Sequence, residues 1–302
     1  MHPLVCNVAS ILNDGRSKGE TGLLSRRKFL WGSGTFVAGT LGLGFYACGI
    51  EPHWLEITRR ILPIADLPDG LVGASVAQLS DLHVGPRVDD DYLISTLKRV
   101  DALKPDIVAY TGDFVTYGEP PYLDQLSRVI RHTPRGRLAT LAILGNHDYG
   151  RGWRHREIGE AIVKRVAAVG ISVLRNQRYT VSGLQIIGLD DLWGPCFGPS
   201  MIMSEVKRGQ PSMVLCHNPD VADLPVWGEY AGWILSGHTH GGQCRPPFLP
   251  PPILPVQNRR YTAGAFDLAD GRQMYISRGV GTLLPVRFNV RPEVAFFTLS
   301  RA

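Results

Sequence analysis

The 302-residue sequence has few cysteines, a low share of charged residues and no internal repeat. The five cysteines are an odd number, and no two of them have the CxxC spacing that is typical of a structural zinc site. A chain of this length can bury a stable core without disulfides. Charged residues make up 20% of the chain, slightly below the usual share, and apolar residues make up 44%, as in ordinary globular proteins. The composition therefore argues against a disulfide framework, a disordered chain and a polytopic membrane protein.

The net charge of +5 is concentrated near the N-terminus. Residues 1–50 contain five Lys or Arg against two Asp or Glu, whereas residues 51–302 contain 27 against 25. A nucleic-acid-binding surface needs basic residues clustered on the folded domain. The nearly balanced charge of residues 51–302 gives no sign of such a surface, so we expect no nucleic-acid partner.

Twin arginines precede a mildly hydrophobic run in the N-terminal segment. Residues 1–28 are polar and then basic, which predicts a flexible region, and residues 29–50 contain no charged residue. Arg26 and Arg27 before such a run resemble the twin-arginine export signal of bacteria. An ordinary signal anchor or a single transmembrane helix fits equally, because ~20 apolar residues span a bilayer. We expect a retained membrane anchor that places residues 51–302 in the cell envelope, at the periplasmic or extracytoplasmic face of the inner membrane.

From residue 51 onward, short apolar runs alternate with stretches in which apolar residues recur at helical spacing. Helices are predicted over 93–103, 123–132 and 157–169. Strands are predicted over 75–79, 106–110, 140–144, 171–174, 179–181, 184–188, 213–215, 233–235, 273–277 and 293–299. This alternation is typical of a layered α/β fold. We expect the last two strands to close a second sheet.

Polar groups that can bind metal follow five of the predicted strands. The octapeptide 236–243 (SGHTHGGQ), taken alone, fits either a metal site or a turn with two exposed histidines. It has four counterparts at strand ends: Asp81 with His83, Asp113, Asn146 with His147 and Asp148, and His217. Ligands bind at the carboxyl edge of open α/β sheets. We therefore expect these groups to meet at one site.

This set of side chains has the composition of a dinuclear metal centre. Two divalent ions about 3.5–4 Å apart need several ligands each and a carboxylate that bridges them. Carboxylate oxygens together with neutral imidazoles favour Mn, Fe or Zn, whereas an all-oxygen site favours Mg or Ca. The sequence therefore predicts two divalent metal ions of the former kind.

The ordered pattern D-x-H, G-D, G-N-H-D, H and G-H-x-H resembles the calcineurin-like metallophosphoesterase superfamily over residues 74–302. It is most similar to a branch of membrane-anchored or twin-arginine-exported bacterial phosphohydrolases. The resemblance implies a metallophosphoesterase domain over 51–302, folded as a four-layer α/β/β/α sandwich with two mixed sheets. It implies hydrolysis of phosphoric ester or pyrophosphate bonds, in which a hydroxide held between the metals attacks phosphorus.

The resemblance also implies a role for each residue of the pattern. Seven residues would hold the metals: Asp81, His83 and His240 the first, Asn146, His217 and His238 the second, and Asp113 both. His147 would not bind metal but would stabilise the transition state or protonate the leaving oxygen, oriented by Asp148. Two alternatives remain: a non-catalytic metal-binding scaffold at the membrane, and a metal-dependent amidase.

Few features of the sequence indicate the substrate. We expect either a small-molecule or a lipid-linked phosphate ester. The proline-rich run 245–255 is apolar and follows the histidine loop. Beside a membrane anchor, it favours a lipid-linked substrate such as UDP-diacylglucosamine. Arg151, Arg154 and Arg156 fit either a second phosphate-binding site or a solvated helix start. Asp190 and Asp191 fit either a further acidic site or a loop.

Overall fold

The computed structural model describes residues 38–302. Residues 38–45 are helical and lead into a π-helical turn, Tyr46–Ile50. The predicted flexible region 1–28, the twin arginines and the start of the predicted anchor lie outside the described residues. Within 38–302, no helix combines the length and the hydrophobicity needed to cross a membrane. The chain divides into two compact units after Leu43, and the features described below belong to the larger unit, Gly44–Ala302.

Six strands form the first sheet. They are β1 (Glu56–Ile64), β2 (Ser75–Leu79), β3 (Ile107–Thr111), β4 (Ala139–Ile143), β5 (Ser172–Val173) and β12 (Glu293–Arg301). Their order is β1-β12-β2-β3-β4-β5. β2 to β5 run parallel, β12 pairs antiparallel with β2, and β1 runs parallel to β12. The first sheet is therefore mixed.

The second sheet is also mixed and also has six strands. They are β6 (Gln177–Val181), β7 (Leu184–Gly188), β8 (Ser212–Leu215), β9 (Trp233–Ser236), β10 (Gly264–Asp267) and β11 (Gln273–Ile276). Their order is β10-β11-β9-β8-β7-β6, with β11, β9, β8 and β7 parallel and an antiparallel strand at each edge. β6 and β7 form an antiparallel hairpin at the positions of the predicted strands 179–181 and 184–188.

The two sheets pack face to face around an apolar core. Val76, Ile107 and Leu141 of the first sheet meet Ile186 and Leu215 of the second in this core, and all are fully buried. The helices α1 (Asp90–Asp101), α2 (Pro120–Ile130) and α3 (Arg156–Ala167) cover the outer face of the first sheet. The outer layer of the second sheet is thin and contains α4 (Ser200–Ser204) and the 3₁₀ turn Pro219–Asp223. The predicted α/β/β/α sandwich is confirmed.

The three long helices follow from local sequence signals. Asp89 caps α1 by accepting a hydrogen bond from the Tyr92 amide, and Leu93, Leu97 and Val100 form its buried stripe. Prolines in the first turn start α2, where the missing N–H leaves no donor unsatisfied. The buried stripes of these helices determine which side of each helix faces the sheet.

One prediction about the sheets is wrong. The strand at 293–299 belongs to the first sheet, between β1 and β2, and not to the second. Its apolar residues are buried on both faces, a pattern that does not distinguish one sheet from the other. Its neighbour β1 was not predicted, because Thr58, Arg59 and Arg60 interrupt the apolar pattern on its half-exposed first part.

Candidate metal centre

The loops that leave the carboxyl ends of β2, β3 and β4 meet those that leave β8 and β9. These loops carry all nine residues of the predicted site. Eight are buried: Asp81, His83, Asp113, Asn146, Asp148, His217, His238 and His240. His147 alone among the nine is partly exposed. Buried charged and polar side chains of this kind require partners, and their arrangement indicates which partners they suit.

Asp81, His83 and His240 form the first group. The Nε2 atoms of His83 and His240 lie 3.0 Å apart. Oδ1 of Asp81 lies 3.3 Å from His240 Nε2 and 3.9 Å from His83 Nε2. Three ligand atoms of the types that hold a transition metal thus converge in a site closed to solvent.

Asp113, His217 and His238 form the second group, with ligand atoms within 4.8 Å of one another. Asn146 contributes an oxygen beside them: its Oδ1 is buried and has no hydrogen-bond partner among the described residues. Leaving such an acceptor unsatisfied costs about 1–3 kcal/mol. A cation would satisfy it, so the residues of this group fit a metal ion.

Asp113 lies between the two groups. Its Oδ2 is 3.5 Å from His83 Nε2 in the first group and 3.2 Å from His217 Nε2 in the second. Its other oxygen, Oδ1, accepts a hydrogen bond of 2.9 Å from the His147 amide. One oxygen that faces both groups is the arrangement that a carboxylate shared by two metals requires.

Two candidate ligands, His217 and His238, each have one ring nitrogen fixed by a backbone carbonyl group. His217 Nδ1 donates to Thr111 O over 2.7 Å, and His238 Nε2 donates to Pro255 O over 2.8 Å. Such bonds select the tautomer and leave the other ring nitrogen free for a metal. Burial lowers the pKa of His238 to about 3, so the ring is neutral and able to bind metal at neutral pH.

His147 and Asp148 do not form the predicted pair. The Nδ1 atom of His147 lies 3.1 Å from Thr116 O, which sets the orientation of this ring in place of Asp148. The Asp148 carboxylate instead accepts three backbone hydrogen bonds, from the amides of Phe114, Val115 and Gly145. Asp148 therefore joins the loops after β3 and β4, and the prediction that it orients His147 is wrong.

Asp191 is a carboxylate beside the site, and the sequence is consistent with either a further acidic site or a loop at this position. It follows β7, so it obeys the same strand-end rule as the predicted ligands. The side chain is fully buried and its Oδ2 has no hydrogen-bond partner among the described residues. Burial raises the pKa of Asp191 to about 7. Asp190 is structural, because it bonds Arg175 and the Tyr149 hydroxyl.

Two tryptophans and a buried arginine also border the site, and neither hydrophobic periodicity nor the strand-end pattern predicts them. Trp153 and Trp193 stack with ring centroids 4.7 Å apart, and Trp193 meets the edge of His238 at 4.6 Å. Arg287 is fully buried, 3.5 Å from His240 Nδ1, and donates to four backbone carbonyl groups.

The arginines that follow the Asn146 loop are engaged at the surface. Arg151 donates to Glu119 over 3.0 Å and lies over the Tyr117 ring, whereas Arg156 pairs with Glu160 along α3. Arg154 is exposed. These contacts favour the interpretation of a solvated helix start over that of a second phosphate site.

Gly112 permits the close approach of the β3 and β4 loops. Its φ is +93°, and an added Cβ would lie 2.7 Å from Gly145 N and 2.7 Å from His217 Nδ1. We expect Gly112→Ala to displace His217 and to weaken metal binding by about 10–100-fold, as loss of outer-shell support does. Gly264→Ala is the matched control, because Gly264 has a φ of +92° and no atom near its Cβ position. The control should lose only ~1–2 kcal/mol of folding stability, which is the cost of a left-handed backbone conformation at alanine. Equal metal affinity in both variants, measured by titration calorimetry, would contradict this role.

The chain is similar to known proteins over most of its length. A sequence model described as calcineurin-like phosphoesterase matches residues 74–242. The uncharacterized metallophosphoesterase YkuE of Bacillus subtilis is 35% identical, over 91% of the chain and 98% of its own length. Phosphodiesterase YaeI of Escherichia coli is 33% identical, over 92% of the chain and 100% of its own. The UDP-2,3-diacylglucosamine pyrophosphatase LpxG of Chlamydia trachomatis is 25% identical, over 86% and 94%. The chain belongs to the calcineurin-like phosphoesterase family, and it is a metal-binding phosphoesterase.

Proposed function

We propose that this phosphoesterase hydrolyses a phosphodiester or pyrophosphate bond in a lipid-linked substrate, at the extracytoplasmic face of a bacterial inner membrane to which its N-terminal segment anchors it. An acylated nucleotide sugar such as UDP-2,3-diacylglucosamine is the substrate class we favour, because a relative that spans most of the chain is named for that pyrophosphatase activity. Relatives named phosphodiesterase and pyrophosphatase favour phosphoester hydrolysis over an amidase or a non-catalytic scaffold.

The observation that carries the substrate proposal is an apolar cavity beside the first ligand group. It has a volume of about 210 Å³, and its wall includes His240. The remainder of the wall is mostly apolar and comes from two loops, with Pro252, Ile253, Leu284 and Val286 among its residues. An acyl chain suits such a wall, since burial of apolar surface is favourable at about 25 cal/mol per Å². A chain held there would lie next to the metal ligands.

The residues of the site have different roles in the proposed reaction. Two divalent metals, when bound, supply positive charge for the phosphoryl oxygens and lower the pKa of water. Asp81, His83 and His240 would hold one of them, Asn146, His217 and His238 the other, and Asp113 both; carboxylate and imidazole ligands favour Mn, Fe or Zn. His147 is partly exposed and its Nδ1–H is held by Thr116 O; in the imidazolium form the ring would give its Nε2 proton to the leaving oxygen and keep the proton on Nδ1.

Loss of the apolar wall tests the substrate proposal. We expect Leu284→Asp to lower kcat/KM for UDP-2,3-diacylglucosamine by about tenfold or more relative to that for a soluble diester, bis(4-nitrophenyl) phosphate, because a carboxylate in the wall disfavours an acyl chain. Val72→Asp is the matched control: the two side chains are 48% and 51% exposed, and Val72 lies outside the cavity. Equal turnover of acylated and unacylated nucleotide sugars by the unsubstituted protein would refute the proposal.

A further inference from the structure

The proline-rich loop that lines part of the cavity beside His240 carries exposed apolar side chains. Phe248 is fully exposed, and Leu249 and Ile253 are 60% and 69% exposed. Ile253 lines the cavity together with Leu284, which is 48% exposed. We call these four residues the apolar rim: Phe248, Leu249, Ile253 and Leu284. Apolar side chains that cluster on a surface next to a site mark a place where another apolar body binds.

The apolar rim belongs to two loops that are bonded to each other. The Gln243 side-chain amide donates to the carbonyl oxygens of Leu284 and Val286, and the Leu283 amide donates to Gln243 Oε1. The Arg245 amide donates to Phe288 O over 2.8 Å. The loop 245–255 is therefore attached to the segment 283–288, and the two present their apolar side chains together.

The π-helical turn Tyr46–Ile50, which we call the N-terminal turn, is attached to the same segment. The Arg287 amide donates to Ala47 O over 2.9 Å, and the Glu51 carboxylate accepts from the amides of Asn289 and Val290. Phe45 and Ile50, on either side of Ala47, are exposed. Residues 47 and 51 are thus hydrogen-bonded to the loop 287–290, which follows Leu284 of the apolar rim.

Charge and aromatic residues around this surface suit a lipid headgroup layer. Arg245 lies exposed at the start of the proline-rich loop, and the exposed Arg87 donates to Leu283 O. Trp54 is exposed and lies under the Arg291 guanidinium, 4.3 Å from the ring centroid. Tryptophan is enriched at membrane interfaces, and arginine is attracted to anionic lipid headgroups.

We propose that the apolar rim and the N-terminal turn together form the surface on which the domain lies against a lipid bilayer, with Phe248 and Leu249 inserted among the acyl chains. The proposal extends the anchored location given above and does not depend on the reaction. The turn Tyr46–Ile50 is hydrogen-bonded to Arg287, close in sequence to Leu284 of the rim, so a bilayer that contacts one of them lies near the other. The cavity beside His240 then opens onto the bilayer, and an acyl chain reaches it without crossing water.

Depth-dependent quenching tests this orientation. The full chain with Phe248→Trp is incorporated into vesicles of phosphatidylglycerol and phosphatidylcholine, with or without bromine on the acyl chains. The fluorescence of the unsubstituted protein, which has six tryptophans, is subtracted. We expect the added indole to lose most of its emission in the brominated vesicles, because bromine quenches only indoles within the acyl region. Phe248 is fully exposed, so the substitution disturbs no packing.

Met201→Trp is the matched control, since Met201 is 78% exposed on α4 in the outer layer of the second sheet. Its indole should keep its emission. Emission from Phe248→Trp that is unaffected by bromine would overturn the proposal, and so would equal quenching in both variants. A full chain that fails to float with the vesicles would overturn it together with the anchor. All readings are taken without substrate, so an absence of hydrolytic activity leaves them unchanged.

Discussion

Asp113→Asn is expected to lower metal content to at most one ion per chain and turnover of bis(4-nitrophenyl) phosphate by about two to three orders of magnitude. The reason is geometric. One Asp113 oxygen faces His83 at 3.5 Å and His217 at 3.2 Å, so a single side chain serves both ligand groups. The neutral amide of asparagine would put either a weaker oxygen or an N–H donor at that position. Bound metal is measured by mass spectrometry on the dialysed protein.

The same strand supplies the control for this variant. Asp106 lies just before β3, whereas Asp113 lies just after it, and Asp106 bonds Ser75 and Arg137 far from the metal ligands. Asp106→Asn should lower thermal stability and leave two metals and normal turnover. If Asp113→Asn retained two tightly bound metals, the binding of both ions would not depend on Asp113, and the shared role of this carboxylate would have to be abandoned.

The strand-end rule explains why much of the site could be predicted. Parallel strands end at one edge of a sheet, so the residues just past Leu79, Thr111 and Ile143 lie close together. This holds regardless of the helices that connect the strands. The packing of the second sheet on the first brings His217 and His238 to the same edge. Spacing along the chain does not enter this argument, which is why ligands 159 residues apart, Asp81 and His240, could be placed together.

The parts that could not be predicted depend on loop conformation. Whether Asp148 faces His147 or the neighbouring amides is decided by the positive φ of Asp113 and the turn after Gly145, which no periodic pattern encodes. Arg287 reaches His240 only because the segment 278–290 folds back on itself around the guanidinium. Trp153 likewise sits at a φ of +59°, an uncommon backbone state for a bulky residue.

His147→Ala is expected to keep both metals and to lower turnover by about 10²–10⁴-fold, the usual contribution of a general acid. His147 belongs to neither ligand group, and its ring is the partly exposed one, held through Nδ1 by Thr116 O. A proton donor matters most when the leaving oxygen is basic. The loss should therefore be large for an alkyl diester and small for a 4-nitrophenyl diester, whose leaving group departs without a proton.

His155→Ala is the control for that comparison, because His155 is half exposed and pairs with Glu157 at the surface. It should change neither metal content nor turnover of either diester. An equal loss with both leaving groups would assign His147 to stabilisation of charge on the phosphoryl oxygens instead of proton transfer. Loss of a metal from the His147→Ala protein would make His147 a ligand, which would contradict a division of the site into seven ligands and one acid.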